Sequence, residues 1–246
     1  MNFRAIEERI TNFIREQVEK SNSTGVVLGL SGGIDSAVVA FLCTKALGRE
    51  KVLANIMPEK GVTMKEDLED ALLVAKKLGI EYNIIEISPI VKLFLDILGE
   101  NKNAVINLKP RIRMIINYFY ANKLRRLVAG TGNKSEIMIG YFTKFGDGGV
   151  DFQPIGDLYK TEIFEFARYL GVPERIIKKR PTAGLYVGQT DEEEIGMSYY
   201  ELDEILKEIE KGIERKDEKF QRVMNLIKAS EHKRMLPPIP KVRDLI

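Results

Sequence analysis

Apolar positions along this chain follow two periods that alternate through its first half. Phe3, Ile6, Ile10, Phe13, Ile14 and Val18 recur at three- and four-residue steps, the pattern of one buried helical face. Val26-Val27-Leu28-Gly29-Leu30 is instead a short continuous apolar run, which predicts a buried strand. A helix is expected through Ala37–Leu42 with a stop at Gly48, then strands over Val52–Met57 and Tyr82–Ile87. Between these strands, Thr63 with Glu66 predicts a capping box for a helix through Leu68, Ala71, Leu72, Ala75 and Leu78, ended by Gly79. Helical patterns follow at 88–98 and 108–124, with Pro110 read as a first helical residue, before the short apolar run Leu127–Gly130.

Strands alternating with helices predict right-handed βαβ units. The fold class is therefore α/β, a mostly parallel twisted sheet flanked by helices. The last third loses the strand pattern. Helices are expected at 160–170, 199–211 and 216–233, one of them opened by a Ser198–Glu201 capping box, which together form a helical C-terminal extension. Arg180–Thr190 reads as a mobile loop. No repeat or low-complexity linker divides the chain, so residues 1–246 are expected to form one domain.

The candidate chemistry starts at Ser31-Gly32-Gly33-Ile34-Asp35-Ser36, between the first strand and its helix. Gly32 and Gly33 are expected to take positive φ and let a ligand approach the backbone. The unpaired N–H groups of the following helical turn make an anion site there, and phosphate is the usual occupant. Asp35 stands where a Walker-type loop has lysine. Two unit charges ~4 Å apart repel by about 4 kcal/mol at an effective dielectric of 20, whereas a helix N-terminus returns about 0.3–1 kcal/mol. Asp35 and a phosphate therefore share the turn only with a bridging cation, and Mg²⁺ suits those oxygens. The plainer alternative is that Asp35 and Ser36 cap the helix.

Composition narrows the chemistry. With 38 basic and 36 acidic residues the net charge is +2, which gives no strong basic field for nucleic acid. No signal-peptide core and no membrane-length apolar window are present, so a cytoplasmic protein with no membrane partner is expected. One Cys and one His exclude an internal disulfide, a Cys-Xaa-Xaa-Cys pair and histidine-rich metal sites. Cys43, inside the apolar helix, reads as buried filler. Carboxylates, lysines, hydroxyls and a hard metal remain.

Ser-Gly-Gly-Xaa-Asp-Ser resembles the loop of the ATP-pyrophosphatases, which cleave ATP between the α and β phosphates. A second stretch, Gly130-Thr131-Gly132-Asn133-Lys134-Ser135-Glu136, continues through Gly140–Asp151, Pro154–Lys160, Pro181–Leu185, Gln189–Glu192 and Glu231–Arg234. In order and spacing this set resembles the NAD synthetase family over nearly the whole chain. The resemblance implies that Gly29, Leu30, Ser31, Gly32, Gly33, Ile34, Asp35 and Ser36 hold the ATP phosphates, and that Asp35 and Glu136 bind Mg²⁺. It implies ATP contacts from Thr131, Lys160 and Thr182, and deamido-NAD contacts from Arg111, Lys144, Asp151, His232 and Lys233. Asp35, Lys144 and Lys160 are then the catalytic set, and a homodimer is implied.

The implied reaction is amidation of deamido-NAD. Its carboxylate attacks the α-phosphorus of ATP, and ammonia displaces AMP from the resulting adenylate. Glutamine-using members of the family carry an N-terminal amidase domain with a catalytic cysteine. Here one helix precedes the loop, so free ammonia is the expected donor. Two rivals share the loop: a tRNA-modifying enzyme, disfavoured by the charge and the missing cysteine pair, and a non-catalytic nucleotide sensor, in which the carboxylates and lysines would be dispensable.

Overall fold

A computed structural model describes residues 1–243. Four parallel strands form its sheet in the order β3-β2-β1-β4, where β1 is Val26–Gly29, β2 Val52–Ile56, β3 Glu81–Ile84 and β4 Leu127–Val128. Register runs Val26 opposite Val52 and, on the other side, Val26 opposite Leu127. An isolated parallel bridge from Ala129 to Phe152 extends the β4 edge.

β1 and β2 read as unbroken apolar runs because helices cover both faces of the sheet. Val26, Leu28, Val52, Ala54 and Ile56 join the main core with α1 (Phe3–Lys20), α2 (Ile34–Leu47), α3 (Lys65–Leu78) and α7 (Lys160–Leu170). Val27 and Leu53 point the other way, to Ala121 on α5 (Lys102–Leu124). Beside α5 runs α4 (Ser88–Leu98), packed through Val91 onto Ile112 and Met57.

The remaining helices are α6 (Lys134–Ile139), α8 (Glu174–Ile177), α9 (Asp191–Ile195), α10 (Tyr199–Glu210), α11 (Glu218–Ala229) and α12 (Glu231–Arg234). A separate core of Leu202, Ile205, Leu206, Phe220 and Val223 closes on Ile139 and Tyr159. The extension is thus bound to the two helices that leave the β4 side of the sheet.

Three local expectations change. α5 starts at Lys102, capped by Asn101, so Pro110 sits inside the helix and Arg111 is mid-helix. The Thr63–Glu66 box is absent: α3 is entered from Met64, and the Thr63 hydroxyl instead accepts the Glu59 N–H at 2.8 Å. Ser230 breaks the expected 216–233 helix into α11 and α12. The Ser198–Glu201 box is present at the start of α10.

Candidate active site

β1 lies inside the sheet with β2 on one side and β4 on the other, so chains leaving the carboxyl ends of β1 and β4 diverge around one crevice. Such a switch point is where open α/β sheets bind ligands. The first wall is the turn into α2. Gly32 has φ +86°, and a Cβ there would lie 2.1 Å from the Asp67 carbonyl oxygen, so only glycine fits. Gly33, expected to share that conformation, has φ −84° and serves as the N-cap without a side-chain bond. Ser36 ties the turn by donating to the Gly33 carbonyl at 3.0 Å and accepting the Ser31 N–H at 3.2 Å. From outside, Lys179 Nζ donates to the Gly32 carbonyl (3.0 Å) and to Asp67 (2.8 Å), and pairs with Asp70 (2.5 Å).

Asp35 caps nothing in α2. Its Oδ2 accepts from Lys160 Nζ at 2.5 Å and its Oδ1 from Asn133 Nδ2 at 3.1 Å. Asn133, fully buried, is the N-cap of α6 and forms a reciprocal box with Glu136. One side chain therefore fixes Glu136 and reaches Asp35 across the crevice. Lys160 opens α7, is 2 % exposed, and lies 3.4 Å from Glu136 Oε1 and 5.1 Å from the Tyr199 ring centre. The Tyr199 hydroxyl donates to Asp191 at 3.0 Å and lies 3.4 Å from Glu136, while the Tyr141 hydroxyl lies 3.2 Å from the other Asp191 oxygen.

Three carboxylates thus surround one ammonium. Burial pushes the Glu136 carboxyl up, Lys160 pulls it back, and Asp35 and Asp191 push it further. For Lys160 burial works against the charge, but Asp35, Glu136 and Asp191 outweigh it and hold the ammonium above its ordinary range. Among the described residues no group of three or more His, Cys, Asp or Glu side chains is spaced to hold a metal by itself. Mg²⁺ does not require one, since it keeps waters and takes one or two carboxylates plus phosphate oxygens. Asp35 and Glu136, hard oxygen donors converging on one cation in a net-negative cluster, fit it.

The crevice opens into a cavity of about 440 Å³, lined by Gly29, Leu30, Ser31, Gly33, Ile34, Asp35 and Ser36 from one side and by Thr131, Glu136 and Lys160 from the other. Thr182 and Lys233 also face it; Gly32 does not. Lys233 Nζ is committed to the carbonyls of Gly140 and Phe142, both at 2.7 Å. Arg111, Lys144 and His232 lie outside this cavity, in a surface chain of their own. Arg111 donates to the Lys144 carbonyl at 3.3 Å, and Lys144 Nζ to the His232 carbonyl at 2.6 Å. Asp151 is spent on the fold, accepting the Val128 N–H (2.7 Å) and the Tyr118 hydroxyl (3.1 Å).

The irregular segment 180–190 crosses the cavity mouth. Buried Lys109 donates to the Leu185 carbonyl at 2.7 Å. Glu194 accepts from Tyr186 (2.5 Å), Gln189 (3.0 Å) and Tyr141. Sequence reasoning gave no role to Asn133, Asp191, Tyr199, Lys179 or Glu194. Asn133 had a local signal, the Asn-Xaa-Xaa-Glu spacing of a capping box, and Asp191 lay inside the Gln189–Glu192 stretch.

A central parallel sheet, a hydroxyl-rich glycine turn at a helix start, and carboxylates gathered around a lysine define an α/β nucleotide-binding protein equipped for phosphate chemistry. Comparison with known proteins narrows the class. A profile of the NAD synthase family matches residues 6–237. The NH(3)-dependent NAD(+) synthetase of Archaeoglobus fulgidus is 64 % identical over 247 residues, covering 100 % of both chains. Among solved structures, an NMN synthetase from Francisella tularensis has TM-score 0.91 at 37 % identity, covering 98 % of this chain and 99 % of its own. The NH3-dependent NAD synthetase of Campylobacter jejuni, solved with nitrate, has TM-score 0.86 at 39 % identity, covering 98 % and 100 %. The chain belongs to the NAD synthase family.

Proposed function

We propose that this chain is a single-domain ligase that amidates deamido-NAD to NAD with ammonia, at the expense of ATP, giving AMP and pyrophosphate. The observation that carries the reading is the meeting of Asp35, Glu136 and Lys160 at the ends of β1 and β4 in a chain of this family. The turn Gly29–Ser36, with Thr131, Lys160 and Thr182, holds ATP. Asp35 and Glu136 hold Mg²⁺, which when bound offsets phosphate charge. Lys160 places a buried ammonium beside those carboxylates, where charge builds on the departing pyrophosphate. Arg111, Lys144, His232 and Lys233 receive deamido-NAD at the outer end, with Lys144 the second catalytic cation, and Asp151 serves that site by holding the β4 edge. Positioning and electrostatics suffice for both steps, because adenylation supplies the leaving group and ammonia the nucleophile.

Two copies are proposed to assemble. Leu93 and Ile97 on α4 and Ile115 and Phe119 on α5, each pair one helical turn apart, are 56–71 % exposed. An apolar face of this kind marks an interface. Among the described residues no helix is long and apolar enough to cross a membrane, and we place the enzyme in the cytoplasm with its small-molecule substrates.

The test is NAD and pyrophosphate formation from ATP, Mg²⁺, ammonium and deamido-NAD, with parallel reactions on nicotinate mononucleotide and on tRNA. Product from deamido-NAD is expected. The likeness to an NMN synthetase favours nicotinate mononucleotide as a second substrate, and preferential turnover of it would replace the dinucleotide reading. Pyrophosphate release with tRNA alone would return the chain to the tRNA-modifying class.

A further inference from the structure

Asn133 ties the cluster from within, and the helical extension braces it from behind. Lys160 and Glu136 each sit in the first turn of a helix, α7 and α6, and the distance between those helix starts sets the distance between ammonium and carboxylate. Asp203 on α10 spans them. It is fully buried and, among the described residues, forms no salt bridge. One of its oxygens accepts the Ser135 hydroxyl and the other accepts the Thr161 N–H at 2.9 Å. The Ser135 oxygen in turn accepts the Lys160 N–H at 2.9 Å. A buried carboxylate is tolerated there because hydroxyl and helix-start N–H groups take both oxygens and the N-terminal dipole favours its charge.

This linkage touches the backbone of Lys160 and of its successor, and the residue immediately before Glu136. Asp203 also lies one helical turn beyond Tyr199, whose hydroxyl meets Glu136 and Asp191, so the same face of α10 braces the cluster twice. We propose that Asp203, acting through Ser135, is a positioning residue that sets the Lys160–Glu136–Asp35 geometry for adenylation. Asp203 does not line the cavity. The proposal rests on the ligase reading above.

A merely structural Asp203 would lower stability without altering turnover by the folded enzyme, which gives the test its form. Ser135→Ala removes the hydroxyl bridge, and the isosteric Asp203→Asn keeps the Thr161 bond while withdrawing the acceptor for the Ser135 proton. Each variant is expected to lower kcat of pyrophosphate release about ten- to hundredfold, the range for a lost hydrogen bond to a charged group. ATP affinity should change by no more than about threefold, because the phosphate turn is untouched. On a Lys160→Met background the same substitutions should cost almost nothing more, as residues acting through one group are non-additive. Crystals of Ser135→Ala should show Lys160 Nζ out of hydrogen-bond reach of Asp35. Wild-type kcat in both variants, additive losses on the Lys160→Met background, or an unmoved Lys160 would each overturn the assignment. A wild-type chain inactive on deamido-NAD would sink the ligase reading instead, and the crystal comparison would still decide the positioning role.

Discussion

Lys160 and Asp35 are 125 positions apart in sequence, yet Nζ and Oδ2 stand 2.5 Å from each other. Neighbouring pairing of β1 and β4 brings the two loops together, and Asn133 locks the contact from the α6 side. Asp35 therefore faces a cation from a direction that no local sequence feature reveals.

Asp35→Asn keeps the shape and removes the charge. Pyrophosphate release should fall by about a hundredfold through weakened metal binding, the order of cost for losing one electrostatic contact that stabilises the transition state. Thermal midpoint should change little, since Asn133 retains an oxygen acceptor and the Lys160 ammonium keeps the Glu136 and Asp191 carboxylates. Titrating Mg²⁺ separates the roles: near-normal turnover at limiting metal would remove Asp35 from the metal site.

Gly32→Ala and Gly33→Ala should behave differently. At φ +86° and 2.1 Å from the Asp67 carbonyl, alanine at 32 strains the turn and should lower stability by more than about 1 kcal/mol. At 33, with φ −84° and 3.3 Å to the Ser31 hydroxyl, the cost should be smaller. Urea midpoints at constant slope measure both; equal losses would contradict the geometry.

Glu194 is expected to latch the segment 180–190. Burial opposes its charge, but its bonds from Tyr141, Tyr186 and Gln189 outweigh that and hold the carboxyl below its ordinary value of 4.5. A lowered folded value means the latch contributes fully above that pH and is lost as pH falls through the folded value. In hydrogen exchange, protection of the segment, taken relative to intrinsic exchange at each pH, should fall on acidification and, at neutral pH, in Glu194→Gln, while added ATP should raise it. Equal exchange with and without ATP would indicate a fixed loop.

Cys43 is buried in α2, and burial pushes its thiol up to about 12. Native protein should resist thiol reagents that label it in denaturant. The unfolded thiol ionises near 9.0, so between that pH and about 12 the unfolded state binds fewer protons, and the wild type should lose stability relative to Cys43→Ala. Ammonia-dependent NAD synthesis should survive Cys43→Ala, and glutamine should not replace ammonia. Glutamine use lost in that variant would require a second site.

The elements whose information is local were legible: the amphipathic α1, the continuous apolar β1 and β2, and the Ser198 cap. What failed involved competition between local signals. Pro110 reads as a helix start, but Asn101 caps nine positions earlier and packing carries α5 through the proline. Thr63 reads as a cap, but the Glu59 N–H takes its hydroxyl. In the candidate site, Asp35 and Glu136 announce themselves beside glycine and helix starts. Tyr199 and Asp203 lie on the amphipathic α10, and Asp191, although inside the Gln189–Glu192 stretch, shows nothing locally of its partners; only tertiary folding turns the three inward.

α5 carries several of these features on one 23-residue rod. Lys109 grips the segment over the cavity, Arg113 lines the cavity, and Ile115 and Phe119 face outward one turn apart. Pro110, beside the Lys109 grip, removes one internal N–H from the helix, yet the outward apolar face and the grip on the cavity mouth remain on one continuous element. If two copies meet on that face, the helix at their seam is also the helix that grips the cavity mouth, so separating the copies should change ATP binding as well as assembly.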